Sequence, residues 1–132
     1  KNRWSLNDNY LRFWFRFIFP NQSLIEMGKY DMLREVIDRG YEQYSGLILE
    51  KYFRAKIAEE KRITDIGSYW DNKGENEIDV IAINDLDKTA IAAEVKRNSN
   101  KIDMDILQSK VHSVKELAKY EIELQGLSLE NM

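Results

Sequence analysis

The spacing of hydrophobic and polar positions changes near the middle of the chain, from a helical period to a strand period. Apolar residues recur at three- and four-residue intervals in the first half, which predicts amphipathic helices. A second helix is expected over residues 23–39, with an interruption at Gly28 and an end at Gly40. A third is expected over residues 41–60.

A first helix is predicted over residues 9–19, capped by Asn7 or Asp8 and ended by Pro20. Its aromatic residues cover nearly the whole circumference, so the helix must be buried on most sides. Core packing explains this pattern, and docking on another domain or a second subunit is the alternative. The aromatic positions of residues 1–20 are Trp4, Tyr10, Phe13, Trp14, Phe15, Phe17 and Phe19.

The second half reads mainly as short strands bounded by turn residues. Two nearly continuous apolar runs flank the turn at residues 84–88 and predict a hairpin. The expected order is three helices, three strands, a helix and a strand, which is an α/β fold. The predicted strands lie over residues 63–70, 77–83, 90–96 and 120–124, and the last helix lies over about 103–119.

Composition places the chain among globular domains, with 43% hydrophobic and 33% charged residues in 132 positions. The formal net charge of -3 argues against coating nucleic acid by bulk electrostatics. The absence of cysteine excludes disulfides and thiolate zinc sites and agrees with a cytoplasmic location. No apolar run approaches a membrane span. Because the chain begins at Lys1, we expect it to be part of a longer protein.

Three charged residues interrupt the apolar hairpin. Glu94 and Lys96 are two positions apart and therefore share a face, and Asp79 lies on the neighbouring predicted strand. Buried charges need partners or a metal ion. Two carboxylates suit Mg²⁺ or Mn²⁺, and a nearby lysine suits phosphate chemistry. The alternative is an ordinary ion pair between Glu94 and Lys96 on a half-exposed strand.

The order of these residues resembles the PD-(D/E)XK nuclease superfamily, whose restriction-endonuclease-like αβββαβ core holds an Asp and then a Glu-X-Lys motif. Ile78-Asp79 stands where the family has Pro-Asp, and Glu94-Val95-Lys96 matches the second motif. Glu50 stands where the family often has a helix carboxylate. The resemblance implies that Asp79 and Glu94 hold Mg²⁺ (or Mn²⁺). It also implies that Lys96 acts on the attacking water or the transition-state charge, and that Glu50 orients a water at the metal.

A closer resemblance is to the nuclease-like C-terminal domain of archaeal-type, AAA-family P-loop ATPases. It rests on the aromatic segment from Asn9 to Asn21 and on Gly46, Glu50 and Trp70, followed by the two motifs above. This resemblance implies a helical segment at residues 1–40 that packs on a nuclease-like core at residues 41–132. Any ATPase and winged-helix portions lie outside this chain, which has no Walker A loop.

The resulting expectation is a metal-dependent DNA nuclease. The alternatives are a nuclease-like module that only binds DNA or docks on its ATPase, and a structural or dimerisation domain. Glu77 is a reserve ligand because it would share the face of Asp79. Gln108 and His112 share a helix face, and the glutamine is a weaker candidate for approaching the phosphate. Basic residues near the motifs that could contact phosphates are Lys73, Arg97, Lys101 and Lys110.

Overall fold

The computed structural model describes residues 9–74 and 76–132. These residues form two compact units, with the boundary between Tyr44 and Ser45. Trp4 and the two predicted caps, Asn7 and Asp8, lie outside the described residues. The packing of the aromatic segment on the strand-bearing unit stays a prediction.

The N-terminal unit is helical through Pro20, so the prediction that this proline ends the first helix is wrong. Pro20 lies in the first turn of a 3₁₀ helix, where a backbone N–H would have no partner within the helix. The Asn21 side-chain amide donates to the Phe17 carbonyl at 2.7 Å and occupies that acceptor. The helical elements are α1 (Asn9–Phe13), a π-helix (Trp14–Ile18), the 3₁₀ helix (Phe19–Asn21) and α2 (Gln22–Glu26).

Helix α3 (Tyr30–Glu60) joins two of the predicted helices into one. The predicted interruption at Gly28 is confirmed, because this glycine has a left-handed φ of +70°. The predicted end at Gly40 is wrong. A Cβ at Gly40 would lie 2.8 Å from a ring carbon of the fully buried Phe17, so the glycine permits close packing rather than ending the helix. Neither α3, with its 31 residues, nor any other described helix is long and apolar enough to cross a membrane.

Within the described residues, four strands form one mixed sheet in the order β1-β2-β3-β4. The predicted hairpin of β2 and β3 is confirmed, and β1 pairs antiparallel with β2. The predicted last strand is also confirmed, and it runs parallel to β3. The strands are β1 (Asp65–Trp70), β2 (Glu77–Asn84), β3 (Thr89–Val95) and β4 (Glu121–Leu127).

Apolar side chains cover both faces of the sheet, which explains the nearly continuous apolar runs of β2 and β3. Each buried Leu, Ile or Phe stabilises the fold by about 2 kcal/mol through burial. The α3-side cluster contains Leu49, Phe53 and Ile57 of α3 with Val80, Ala82, Ala93 and Val95. The α4-side cluster contains Ile78, Ile81 and Ala92 with Leu107, Val111, Val114 and Leu117.

Helix α4 (Met104–Ser113) crosses between the parallel strands β3 and β4. Its predicted start is confirmed, because the Asp103 carboxylate caps the N–H groups of Asp105 and Ile106. The prediction that it continues to residue 119 is wrong. Val114 has an extended backbone and is buried in the α4-side cluster, so the chain turns inward there before a 3₁₀ helix (Lys115–Leu117).

Candidate functional site

A β-bulge occurs in β2 at residues 79–80. Gly67 pairs with Ile81 and Tyr69 pairs with Ile78, so two steps along β1 correspond to three along β2. Accordingly, Ile78 packs in the α4-side cluster and Val80 packs in the α3-side cluster, although a regular strand would put both on one face. Bulges redirect side chains and occur often beside active sites. The bulge therefore sets the direction of Asp79, and the sequence pattern did not predict it.

The Asp79 carboxylate is anchored to the end of β3. Its Oδ2 accepts a hydrogen bond of 2.8 Å from the backbone N–H of Val95, the residue between Glu94 and Lys96. The backbone pairing of β2 with β3 extends from Asn84 to Val80, and Asp79 continues the contact through its side chain. The structure therefore brings Asp79 to the backbone of Val95, and the convergence of its carboxylate with Glu94 and Lys96 stays a prediction.

Glu94 is half-buried, and its Oε2 atom is buried without a hydrogen-bond partner among the described residues. Its neighbour on β4 is Gly126, over which Ile102 and Met104 pack closely. A buried carboxylate oxygen without a partner is costly, and such groups generally indicate an ion or water that satisfies them. The orphaned oxygen therefore fits a ligand that the described residues do not supply.

Glu50 lies on α3 and carries the largest electrostatic perturbation near the motif. Burial raises its pKa to about 7, and the negative charges of Asp79 and then Glu77 act in the same direction. The positive charges of Arg54 and Lys96 oppose the rise. These influences put Glu50 in the electrostatic field of Asp79, Glu77 and Lys96. Glu50 therefore belongs to the same charged neighbourhood as the strand motif.

Lys96 is exposed and makes no ion pair within 4.0 Å in the described part of the chain. Its backbone N–H donates to the Leu127 carbonyl at 3.0 Å. The alternative of an ordinary Glu94–Lys96 ion pair is therefore not what the structure contains. The ammonium group is available to an anionic ligand.

The donor set fits a hard divalent cation that retains several water ligands. Across residues 9–74 and 76–132, no three Asp, Glu, His or Cys side chains lie close enough together to hold a metal ion. Mg²⁺ is commonly bound by one or two carboxylates, with water and phosphate completing its coordination. Asp79 and Glu94 are carboxylates of this ligand type, and one oxygen of Glu94 has no partner among the described residues.

The weaker candidates lie in several places. Gln108 and His112 line a cavity of about 590 Å³ beside α4 and β4, together with Lys115 and Tyr120. None of the four predicted site residues lines that cavity. Lys73, Arg97 and Lys101 are exposed and Lys110 is half-buried, while Glu77 is exposed and acts on the pKa of Glu50.

Sequence reasoning missed Arg54. It follows Glu50 by one helical turn, is half-buried, and makes no ion pair within 4.0 Å in the described residues. Its charge nevertheless lowers the pKa of Glu50. The four-residue spacing from Glu50 was the signal that could have identified it.

Comparisons with known proteins identify a family and a relative. The family model for DUF234, archaeal and bacterial proteins of unknown function, matches residues 14–113, a range that includes Glu50, Asp79, Glu94 and Lys96. An uncharacterized protein of Methanocaldococcus jannaschii is 38% identical over 134 residues, which cover 91% of this chain but 30% of that relative. No solved structure matches the chain. Because the family model covers most of the chain, this protein belongs to the DUF234 family.

Proposed function

We propose that this chain is a metal-dependent phosphodiesterase that cleaves DNA. The observation that carries the proposal is the buried Oε2 of Glu94, which has no partner among the described residues and lies next to a residue whose N–H anchors Asp79. The order of helix, three antiparallel strands, helix and parallel strand is also the order of the restriction-endonuclease-like core that the motifs resemble. Fold and motif together favour this chemistry over that of an unspecified α/β domain.

Asp79 and Glu94 would hold the divalent ion, Mg²⁺ or Mn²⁺. When bound, the ion supplies positive charge for a phosphate oxygen and lowers the pKa of water. The hydrogen bond from Val95 N–H leaves the other Asp79 oxygen, Oδ1, for the ion. Glu94 contributes the oxygen that no described residue satisfies. The protein thereby prepares two oxygen ligands on adjacent strands.

Hydrolysis requires a water oxygen to attack phosphorus while the bond from phosphorus to the leaving oxygen breaks. Glu50 would accept a hydrogen bond from this water and orient it toward phosphorus. Lys96 would donate to the phosphate and offset the negative charge that builds up on its oxygens. Lys96 suits this role because it is exposed and makes no ion pair in the described residues.

DNA is the substrate class that the surroundings of the site favour. Lys73 and Lys96 are exposed on either side of Asp79 in the sequence, and Arg97 directly follows the motif. Such residues contact backbone phosphates without reading the base sequence. The net charge of -3 makes this a local patch, so binding is expected to weaken steeply with salt.

The decisive experiment measures cleavage of supercoiled plasmid with Mg²⁺ or Mn²⁺. The wild-type chain is expected to cleave, and Lys96→Ala is expected to abolish cleavage. Lys61→Ala removes the charge of another exposed lysine and serves as the matched control. Equal cleavage by the Lys96→Ala and wild-type proteins would rule out the proposed role.

Calorimetry with Mn²⁺ tests the ion site independently of cleavage. Asp79→Asn keeps an acceptor for the Val95 N–H but removes the negative charge, so loss of Mn²⁺ binding in this variant would support the assignment. Circular dichroism checks that the variant remains folded. Unchanged Mn²⁺ affinity in the folded variant would contradict the assignment of Asp79 as an ion ligand.

A second candidate is a non-catalytic module that binds DNA or docks on its own ATPase. The absence of a three-residue ligand cluster in the described residues favours it. A non-catalytic module would bind DNA with equal affinity in the wild-type and Asp79→Asn forms. It would bind no Mn²⁺ at millimolar concentration. Those two results together would favour the module over the enzyme.

The place of the chain in a larger ATPase is also a proposal. Its support is the aromatic segment from Asn9 to Asn21 and the relative from M. jannaschii, of which the matched region is 30%. ATP hydrolysis by the intact protein, abolished by substitution of a Walker A lysine outside this chain, would support it. An intact protein without a nucleotide-binding loop would exclude it.

A further inference from the structure

Strand β4 is an edge of the sheet and, within the described residues, pairs with β3 alone. Two hydrogen bonds show how its backbone is oriented. The Glu121 N–H donates to the Lys88 carbonyl at 2.9 Å, and the Leu127 carbonyl accepts from the Lys96 N–H at 3.0 Å. Both partners lie at the ends of β3, so the peptide groups of Glu121 and Leu127 face β3.

The orientation of the remaining peptide groups follows from the alternation of the strand. In a strand, the N–H and C=O of one residue point to the same side, and those of the next residue point to the other side. The outward-facing groups therefore belong to Ile122, Leu124 and Gly126. These three residues are symmetric about Leu124, so an antiparallel copy of β4 centred there would satisfy all of them. Leu124 would pair with its own copy, and Ile122 would pair with Gly126 of the second copy.

Side chains on both faces of β4 are compatible with this pairing. Ile122 and Leu124 border the cavity of about 590 Å³ on the α4 side, and Glu121 and Glu123 border one of about 430 Å³ on the α3 side. An added strand would place its alternate side chains in these two hollows. The α4 side is apolar at the strand, because Ile122 and Leu124 pack against the α4-side cluster.

The charges on the other face are also self-complementary. In the symmetric register, Glu123 lies opposite Gln125 of the second copy, and Glu121 lies opposite Leu127, so no glutamate faces a glutamate. Like charges directly opposite would be destabilising. The Gln125 amide donates to Glu123 of its own strand at 2.8 Å and retains a second N–H for the Glu123 of the other copy.

We propose that β4 is a dimerisation edge, which pairs antiparallel with β4 of a second copy of this chain across a two-fold axis through Leu124. The pairing would join two sheets into one continuous sheet and remove an exposed strand edge. Such an interface is isologous, because each copy presents the same surface to the other. The proposal does not depend on catalysis.

Thiol cross-linking tests the axis directly. The chain has no cysteine, so Leu124→Cys introduces a single thiol that lies opposite its own copy. A short bis-maleimide is expected to produce a covalent dimer in high yield. Leu86→Cys places a thiol in the exposed hairpin turn and is the control, for which little cross-linking is expected. Equal yields from the two variants would overturn the proposal.

Sedimentation equilibrium tests the predicted register with variants that keep the strand intact. Gln125→Glu places glutamates opposite each other twice in the dimer and is expected to raise the dimer dissociation constant about tenfold. Gln125→Lys makes two ion pairs and is expected to lower it. Gln43→Glu changes the net charge equally at an exposed position on α3 and should have no effect.

The outcomes are distinguishable. A wild-type chain that remains monomeric at millimolar concentration would refute the dimer, as would a dimer insensitive to both Gln125 substitutions. Circular dichroism confirms that each variant is folded before it is compared. Because neither readout uses metal or DNA, failure of this proposal leaves the nuclease proposal untouched.

Discussion

The two ends of the β2–β3 hairpin differ in how completely their polar side chains are hydrogen-bonded. At the turn, the buried Asn84 amide donates to the Arg62 carbonyl at 3.0 Å and to Asp87 Oδ2 at 2.9 Å. Its oxygen accepts from the N–H groups of Leu86 and Asp87 at 2.9 and 3.0 Å. All four hydrogen-bonding positions of this amide are therefore occupied.

At the opposite end, one buried polar atom has no partner in the described part of the chain. The Oε2 of Glu94 is buried without a partner among the described residues, and burial raises the pKa of Glu50. The same strands thus carry a satisfied network at one end and an unsatisfied one at the other. A network that stabilises the fold is completed by the protein, whereas a binding site keeps groups for its ligand. This contrast supports the proposed ion site at that end of the hairpin.

The largest expected effect is on cleavage by Glu94→Gln. Loss of the carboxylate charge should abolish Mn²⁺ binding and reduce plasmid cleavage at least about a hundredfold. The free energy of unfolding without metal should stay the same or rise, because the substitution removes the charge of a carboxylate whose Oε2 is buried without a partner among the described residues. Urea denaturation and plasmid cleavage measure the two quantities. A large loss of stability without a loss of cleavage would mean that Glu94 serves the fold and not the ion site.

Asn84→Ala is expected to do the opposite. It removes four hydrogen bonds at a position that is only 3% exposed, so the free energy of unfolding should fall by about 3 kcal/mol. Mn²⁺ affinity of the folded fraction should be unchanged, since the site lies at the other end of the strands. Urea denaturation and calorimetry at low temperature check both statements. A loss of Mn²⁺ affinity as large as that of Glu94→Gln would show that the two ends are not independent.

The ionisation of Glu50 predicts how stability depends on pH. Its pKa rises from 4.5 in the unfolded chain to about 7 in the folded protein, so the folded state binds the proton more tightly. The contribution of Glu50 to the free energy of unfolding is fully present below pH 4.5 and is lost as the pH rises to about 7. After allowance for solvent screening, the loss should be about 1–2 kcal/mol.

Glu50→Gln provides the control for that prediction. The glutamine cannot ionise, so the difference in unfolding free energy between pH 4.5 and pH 8 should shrink in the variant. Urea denaturation in metal-free buffer at both pH values measures it. Identical pH dependence in the wild-type and variant proteins would contradict the raised pKa of Glu50.

The smallest expected effect is that of Tyr120→Phe at the turn end. The hydrogen bond from the Tyr120 hydroxyl lowers the pKa of Asp85, and the ammonium of Lys88, 3.5 Å away, acts in the same direction. The stabilisation is present above the unfolded pKa of Asp85 and disappears as the pH falls through its lowered value. The variant should therefore be slightly less stable at pH 7 and equal to wild type in acid, as urea denaturation can show. An equal loss in acid would instead indicate lost packing.

The sequence predicted most of the strand-bearing unit. The hairpin, the last strand and the start of the last helix follow from local patterns, and those patterns act within a few residues. The sequence-based predictions were wrong at Pro20 and Gly40, where they placed the ends of helices. Both failures have tertiary or positional causes: Pro20 lies in the first turn of a helix, and Gly40 makes room for Phe17.

For the candidate site, the sequence by itself determined the residue types and their order: Glu50, Asp79, Glu94 and Lys96. Strand alternation also predicted that the last two share a face. Only the tertiary structure decided that a bulge redirects Asp79 onto the Val95 N–H and that one oxygen of Glu94 is buried without a partner within residues 9–74 and 76–132. The physical reason is that register, burial and electrostatic fields arise from segments far apart in the chain. A local pattern specifies a strand, but its neighbours decide which of its polar groups remain open.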